Sequence, residues 1–558
     1  MPKSLSVFVI FFITLTSYII SFSVIDSLIP ALTFASTNTD NEESLGRIMA
    51  KQAVKREQRW STTDHSKHDA LKRDFISGDE ITAACISCHS EASTQFHKTI
   101  HWTWLASSDP KDIRYGKAGY SVNNFCLSSN NMQDKMCLNC HTGWSGKDGE
   151  VNCLKCHGMA KFDYKKAFEE IKSLAAKIDG YQAETENLNS IKAESIKKIQ
   201  SQIRDAVAKV GLPQRNHCGE CHFKGGGGDG VKHGDLDTSL INCDKNLDVH
   251  MGGRDFTCTR CHTTTNHNIA GRIYTNPAVD SNKSLLQDDL APKITCISCH
   301  SGTPHKKASK MNDHTDKVAC QSCHIPEFAR INPTKMSWDW STAGKLKDGK
   351  PYTVKGELGK ETYLSIKGDM IWEKNVKPQY FWSNGTQTSL TAVDVIDPST
   401  VIKVSSPVGN MSDPDSRIFP FKVHKGRQPY DKVHKTLLAP LLSGEKGYWT
   451  TLNWEESIRI GNEMLELAFS GEYDFVETTY VFPITHMVAP KEKVLKCEEC
   501  HTQNGGRLEN LAGFYMPGRD KASVVDSFGW FAVIASLGGV SVHGLARLAA
   551  RNKNAKKR

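Results

Sequence analysis

The sequence predicts a fold with little regular sheet, in which helices and loops surround a repeated motif and a helix near the C-terminus crosses a membrane. Three observations predict it. The motif Cys-x-x-Cys-His occurs eight times in 558 residues, the cysteine-free segment 161–214 has helical apolar spacing, and residues 527–546 carry no formal charge. With 39% hydrophobic and 24% charged residues, the composition is that of a globular protein.

An apolar run near the N-terminus predicts export. Residues 4–25 are uncharged and follow Lys3, and small residues stand around Thr33 and Ala35. This pattern is typical of a signal peptide, which we place at residues 1–35. The run is also long enough for an uncleaved N-terminal anchor, which stays an alternative. In either case the bulk of the chain leaves the cytoplasm.

The eight motifs use sixteen of the eighteen cysteines. Their cysteines are Cys85, Cys88, Cys137, Cys140, Cys153, Cys156, Cys218, Cys221, Cys258, Cys261, Cys296, Cys299, Cys320, Cys323, Cys497 and Cys500, and their histidines are His89, His141, His157, His222, His262, His300, His324 and His501. Two thiols at this spacing can bind one haem covalently, and the following histidine can coordinate its iron. A zinc site or a redox disulfide would leave the histidine unexplained eight times. We therefore predict eight covalently bound c-type haems.

The remaining histidines are candidates for the sixth ligands of the irons. The chain has 22 histidines, so fourteen lie outside the eight motifs. We expect nine of them to be ligands: His65, His101, His233, His250, His267, His305, His314, His424 and His486. Because eight would suffice, the count also allows a conduit in which every haem has two histidine ligands.

The motifs divide the exported part into segments. Residues 45–160 hold motifs one to three, 161–214 predicts a helical hairpin, and 215–330 holds motifs four to seven, where the haems themselves form the core. Residues 331–501 form a haem-poor covering region that ends in motif eight. It contains Pro/Gly-broken alternating stretches around 363–382 and an amphipathic helix at 454–469.

The charge-free stretch 527–546 predicts a transmembrane helix, because at 1.5 Å per residue it reaches about 30 Å. The basic residues in 547–558 place the tail in the cytoplasm and the haem region at the periplasmic face of the cytoplasmic membrane. A buried core helix with a solvated tail is the alternative. His543 lies within this stretch. We expect it to be a helix-packing or interfacial residue, or alternatively a ligand to the haem of a membrane partner. The net charge of +8 is too mild and dispersed to favour nucleic acid as a partner.

Several local sequences resemble the octahaem tetrathionate reductase-type cytochromes c, which are relatives of hydroxylamine oxidoreductase and pentahaem nitrite reductase. The resemblance runs from about residue 65 to 501, and its most specific pieces are residues 64–75, 101–104, 123–126, 248–253, 312–326 and 423–431. It implies a mainly α-helical scaffold whose second haem is catalytic and is bound by a lysine although His141 is retained. The lysine that matches is Lys147, and Gly143 and Gly146 would allow its loop to fold back.

The resemblance also implies a function. The expected protein is a respiratory reductase of tetrathionate, nitrite or hydroxylamine, with a non-enzymatic electron conduit and an enzyme that oxidises hydroxylamine as alternatives. We expect as partners a small anionic or nitrogenous substrate, a quinol-oxidising membrane cytochrome or other electron donor, the lipid bilayer and further copies of the chain.

Two cysteines lie outside the motifs, Cys126 and Cys243. They could form a disulfide in the export compartment. Alternatively, Cys126 could place a thiol near the open iron of the second haem, so that Lys147 and Cys126 are the expected catalytic residues.

Overall fold

The structure is a computed structural model that describes residues 61, 63–105, 115–127, 138–145, 149–179, 186–273, 279–280, 295–305, 309–521 and 523–555. The predicted signal peptide lies outside the described residues, and so do Cys137 and Lys147.

Most helices of the described part are short and carry or flank a Cys-x-x-Cys-His motif. They are α1 (Gly78–Ile86), α2 (Ala92–His97), α3 (Ile100–Thr103), α4 (Leu154–His157), α5 (Tyr164–Asp179), α6 (Glu186–Val207), α7 (Arg215–His222), α8 (Met251–Arg254), α9 (Ser309–Asp313), α10 (Cys320–His324), α11 (Tyr448–Thr451), α12 (Trp454–Met464), α13 (Cys497–Cys500) and α14 (Ser523–Ala555). Short 3₁₀ turns lie at His65–Lys67, Asp69–Leu71, Thr238–Leu240, Cys258–Arg260, Cys296–Ser298, His314–Asp316, Trp340–Thr342 and Lys491–Lys493.

Helices α5 and α6 occupy the segment in which the sequence predicts a helical hairpin. Their apolar faces pack on each other and on α1, with Ile171, Ile203 and Val207 buried against Ile81 and Phe75. Apolar residues three and four positions apart fall on one face of a helix, which explains why this face is buried while the opposite face is charged.

The strands are concentrated between residues 334 and 483. They are β1 (Thr264–Thr265), β2 (Asn268–Ile269), β3 (Arg272–Ile273), β4 (Val279–Asp280), β5 (Thr334–Asp339), β6 (Leu346–Lys347), β7 (Lys350–Pro351), β8 (Thr353–Lys355), β9 (Glu361–Leu364), β10 (Gly368–Glu373), β11 (Gln379–Ser383), β12 (Thr386–Ser389), β13 (Ile402–Lys403), β14 (Ser405–Val408), β15 (Arg417–Asp431) and β16 (Tyr473–Pro483). Within the described residues, eight strands form one sheet in the order β13-β16-β15-β5-β10-β9-β8, with β11 also paired to β15. Its β15–β5 and β13–β16 pairs are parallel and the others antiparallel.

This sheet corrects the expectation of little regular sheet. The central strand β15 spans 15 residues, and its side chains from Ile418 to Gln428 are buried at every even position. That alternation is the mark of a strand with one face on a core. Pro420, Gly426 and Pro429 interrupt the apolar pattern and conceal the strand from a reading of the sequence alone.

The loop that contains Asn124 and Phe125 lies on the buried face of this sheet. The Asn124 amide donates to the carbonyl oxygens of His424, at 3.0 Å, and of Thr478, at 3.4 Å. A Cβ on Gly426 would lie 2.8 Å from the Asn124 Cβ, so glycine is required for this close approach. The sheet and the haem-motif region therefore meet at this loop.

Helix α14 is the one helix of the described chain that is long and apolar enough to cross a membrane. Its apolar stretch, Asp526–Asn552, contains the predicted span 527–546 and packs against no other described element. Because its large apolar side chains are exposed, a soluble core helix is a poor description of this segment.

Candidate functional site

Six motif histidines face a second imidazole at nearly the same distance. The ring centroids lie 6.5 Å apart for His65 and His89, 6.2 Å for His101 and His222, 6.1 Å for His250 and His300, 6.4 Å for His262 and His486, 6.2 Å for His305 and His324, and 6.1 Å for His314 and His501. Two imidazoles on opposite sides of one metal, each with a metal–nitrogen bond of about 2 Å, have centroids about 6 Å apart. The spacing fits one iron between each pair.

Hydrogen bonds fix the orientation of these rings. His501 Nδ1 lies 2.7 Å from the Pro517 carbonyl oxygen, and His262 Nδ1 lies 2.8 Å from that of Ala270. On the facing side, His314 Nδ1 lies 2.8 Å from the Lys310 carbonyl oxygen. With Nδ1 as the donor, Nε2 keeps its lone pair for a metal, which is the usual outer arrangement of a histidine ligand.

The third motif has a different pair. His157 Nδ1 lies 2.9 Å from the Gly211 carbonyl oxygen, and His267 Nδ1 lies 3.1 Å from the Gln95 side-chain oxygen. Burial, and then the nearby charge of His157, lower the pKa of His267. His267 is thus a candidate partner of His157.

His141 of the second motif is the exception. Its Nε2 lies 2.9 Å from the Trp102 carbonyl oxygen, and its Nδ1 accepts a hydrogen bond from the Gly143 backbone N–H at 3.2 Å. With the Gly143 N–H donating to Nδ1, the proton lies on Nε2, and both nitrogens of this fully buried ring are hydrogen-bonded to the backbone. Trp102 and Trp104 enclose the ring, at 4.9 and 5.3 Å between centroids.

The motif cysteines form a connected array. Four cysteine pairs from different motifs are close enough to hydrogen-bond: Cys85 and Cys153, Cys140 and Cys221, Cys218 and Cys258, and Cys296 and Cys320. Three further pairs interact electrostatically at longer range: Cys156 and Cys218, Cys261 and Cys299, and Cys323 and Cys500. Among the described residues, motif two is a side branch from motif four, where Cys221 Sγ lies 3.6 Å from the Cys140 carbonyl oxygen.

Buried basic side chains lie next to this branch. Lys422 and His424 are fully buried and project from the same face of β15, opposite Phe482 and Tyr480 of β16. The Lys422 ammonium donates to the carbonyl oxygens of Val231 and Lys232 and to the Thr334 hydroxyl. His424 Nδ1 lies 3.0 Å from the Asn124 side-chain oxygen, and its buried Nε2 has no hydrogen-bond partner within the described chain.

Lys232 and Lys335 extend this group, which we call the basic pocket together with His233, Lys422 and His424. Lys232 lies 5.7 Å from the Phe125 ring, and it interacts with Cys140 of motif two. Burial lowers the pKa of Lys232 and of Lys422 to about 7, and burial lowers the pKa of Lys335 well below its ordinary value. When they are protonated, buried lysines of this kind attract small anions.

One carboxylate borders the pocket. Asp235 is buried and accepts hydrogen bonds from His486 and Thr485. Burial acts to raise the pKa of Asp235, but its hydrogen bond from His486 holds the pKa at about 2.

Comparison with known proteins identifies the family. A family model described as "Cytochrome c bacterial" matches residues 335–504. A crystal structure of octahaem cytochrome c from Shewanella oneidensis is similar to this chain, with 35% sequence identity and a TM-score of 0.65, over 83% of this chain and 99% of that one. The chain belongs to the octahaem cytochrome c family. No curated protein matches it in sequence.

As a cytochrome c, the chain carries covalently bound c-type haem, and it is a redox protein. The residues present fit this group, because the paired cysteines precede imidazoles whose rings face a second imidazole at the spacing of two ligands on one iron. The family resemblance deduced from the sequence is thereby confirmed.

The structure separates the nine histidines expected as sixth ligands. Six of them face a motif histidine, and His267 lies near His157. Within the described residues, His233 and His424 do not face a motif histidine at this spacing. His233 packs 5.3 Å from the Phe482 ring, and His424 is bonded to Asn124.

The two cysteines outside the motifs lie in different cores, so they do not form the disulfide that was one alternative. Cys126 packs against the core of Phe125 and Trp338, near Lys335. Cys243 lies with Phe223 and Leu240. Cys126 thus borders the basic pocket, whereas Lys147 lies outside the described residues.

Proposed function

We propose that the chain is an eight-haem respiratory reductase that reduces small sulfur or nitrogen oxyanions and related compounds, such as tetrathionate, nitrite or hydroxylamine, at the second haem. The observation that carries the proposal is the hydrogen bonding of His141, whose two ring nitrogens are engaged by Trp102 and Gly143. If His141 does not bind the iron, another residue must hold it, and Lys147 lies six positions further along the chain.

The position of motif two supports the same function. In the array of cysteines it is a branch from motif four, which suits a site where electrons leave the protein. When bound, the haems supply the electron path and an iron to which a small molecule can bind.

The basic pocket is the proposed substrate site. Lys232 and Lys422 supply positive charge to an anion. Ammonium groups with a pKa of about 7 attract an oxyanion and can deliver protons to the oxygen or nitrogen atoms that the reduction releases. Cys126 lies at the edge of this pocket, where it would contact a sulfur substrate.

We propose an exported protein held at the membrane by α14, with its haem region in the periplasm. Each of the six facing histidine pairs, from His65–His89 to His314–His501, would hold one haem. His157 and His267 would hold a seventh haem, and Lys147 the eighth. A quinol-oxidising membrane cytochrome is the proposed electron donor.

Electron paramagnetic resonance with optical titration by nitrite and cyanide tests the proposal on the haem-loaded protein and on Lys147→Ala. We expect one ligand-accessible haem whose signal changes or disappears in the variant. Lys432→Ala is the control, because the partly exposed Lys432 ammonium pairs with Glu472 in the covering region rather than with a haem motif. Eight low-spin haems that bind neither nitrite nor cyanide would instead indicate a non-enzymatic electron conduit.

A further inference from the structure

Asp235 holds a negative charge against one of the facing histidines. Its side chain is 1% exposed, and its Oδ2 accepts hydrogen bonds from the Thr485 backbone at 2.8 Å, from the His486 backbone at 2.9 Å and from His486 Nδ1 at 3.1 Å. The Thr485 hydroxyl is a second neighbour of Nδ1, at 3.0 Å. The other carboxylate oxygen, Oδ1, is buried and has no hydrogen-bond partner among the described residues.

Three of the other facing histidines have neutral acceptors. His65 Nδ1 lies 3.2 Å from the Thr63 carbonyl oxygen, and His314 Nδ1 lies 2.8 Å from that of Lys310. His305 Nδ1 lies 3.2 Å from the side-chain oxygen of Asn312. In the described part of the chain, Asp235 is the one carboxylate within hydrogen-bond distance of a facing histidine's ring, since His250 and Asp248 are 4.0 Å apart.

We propose that Asp235 is a positioning residue that lowers the reduction potential of the haem between His262 and His486. A carboxylate that accepts the Nδ1 proton makes an imidazole a stronger donor to a metal, and hydrogen bonding to an axial ligand tunes a haem's potential. A buried negative charge also favours the oxidised iron, which is the more positive state. The inference rests on the proposed ligation of one iron by His262 and His486.

A redox titration followed by electron paramagnetic resonance tests this on the full-length, haem-loaded protein with Asp235→Asn. We expect one low-spin signal to shift and one midpoint potential to rise by about 59 mV, which is a tenfold change in the one-electron equilibrium constant. The remaining haems should keep their potentials. Asp235→Glu should return the potential towards its original value.

Asp237→Asn is the matched control. Asp237 lies two residues further along and is equally buried, but its Oδ1 accepts from the Ser239 backbone at 2.7 Å and from Asn332 at 3.0 Å rather than from a histidine. This variant should leave every potential unchanged. The opposite change, Asn312→Asp, would place a carboxylate on His305 and should lower the potential of the haem between His305 and His324, even if Asp235→Asn failed to fold.

His486→Ala separates this inference from the proposed ligation. The variant should convert one low-spin haem to a high-spin one, and unchanged spin states would show that His486 is not a ligand. If the conversion occurs but Asp235→Asn moves no potential, or Asp237→Asn moves one equally, the ligation stands and the role of Asp235 is refuted.

Discussion

Binding of small anions should weaken as the pH rises through about 7, the pKa to which burial lowers Lys232 and Lys422. Both ammonium groups are charged below that pH and neutral above it, so the pocket loses its positive charge as the pH increases. If binding requires protonated Lys422 alone, the affinity should fall about tenfold per pH unit above the pKa, and if it requires protonated Lys232 as well, about 100-fold.

The assay is an optical titration of the oxidised protein with nitrite at constant ionic strength, from about pH 6 to about pH 9. Burial lowers the pKa of His233 and of His424 well below the ordinary histidine value, whereas the lysine pKa of about 7 lies within this range. Lys422→Met should reduce the slope of log Kd against pH by one and weaken binding at the low end. A Kd that is constant over the range, or a slope that Lys422→Met leaves unchanged, would refute the role of the pocket.

Two further predictions concern the ligands and the anchor. His141→Ala should leave the ligand field of the second haem unchanged, whereas His157→Ala should convert one low-spin haem to a high-spin one. Electron paramagnetic resonance measures both. If each variant loses one low-spin haem, His141 is a ligand. Deletion of residues 523–558 should release the haem-loaded protein from membranes in a sedimentation assay, because it removes the one described helix that can span a bilayer; a truncated protein that still sediments would place the anchor elsewhere.

The haem motifs could be predicted from the sequence because their chemistry is local. Five consecutive residues contain both thiols and the imidazole, so no knowledge of the fold is needed. The helices within residues 164–207 could be predicted for a similar reason, because the periodicity of their apolar residues lies within each helix.

The distal histidines could be predicted only in part, because the partner of an iron is a matter of three-dimensional proximity. Spacing favoured His305 and His314, which lie between two motifs, and both face a motif histidine. His424 lies in a segment with few other candidate ligands, but it stands on a long strand whose register brings it to Asn124, 300 positions earlier in the chain. Spacing carries no information about such a contact.

The sequence pattern does not predict the sheet, because the sheet pairs strands that are far apart in the chain. Strand β15 pairs in parallel with β5 through Lys425 and Ser337, and parallel partners need a long connection that no local pattern reveals. One signal was present in the sequence: Lys422, His424 and Gln428 stand at alternate positions with Ile418. Polar side chains on the buried face of a strand indicate a site rather than a core.

The hydrogen bonds of Lys422 give a physical reason why a haem-rich protein contains this sheet. A buried lysine without water must be held by rigid acceptors, since its charge otherwise draws solvent into the site. Lys422 has three such acceptors, the Val231 and Lys232 carbonyl groups and the Thr334 hydroxyl, which the backbone of β15 brings together with the loop after motif four. Short helices around haems offer few fixed backbone groups of this kind, whereas paired strands keep side chains of one face in constant register. The sheet therefore supplies what the haem-binding segments cannot: a rigid, basic surface beside the motif whose histidine has both ring nitrogens hydrogen-bonded to the backbone.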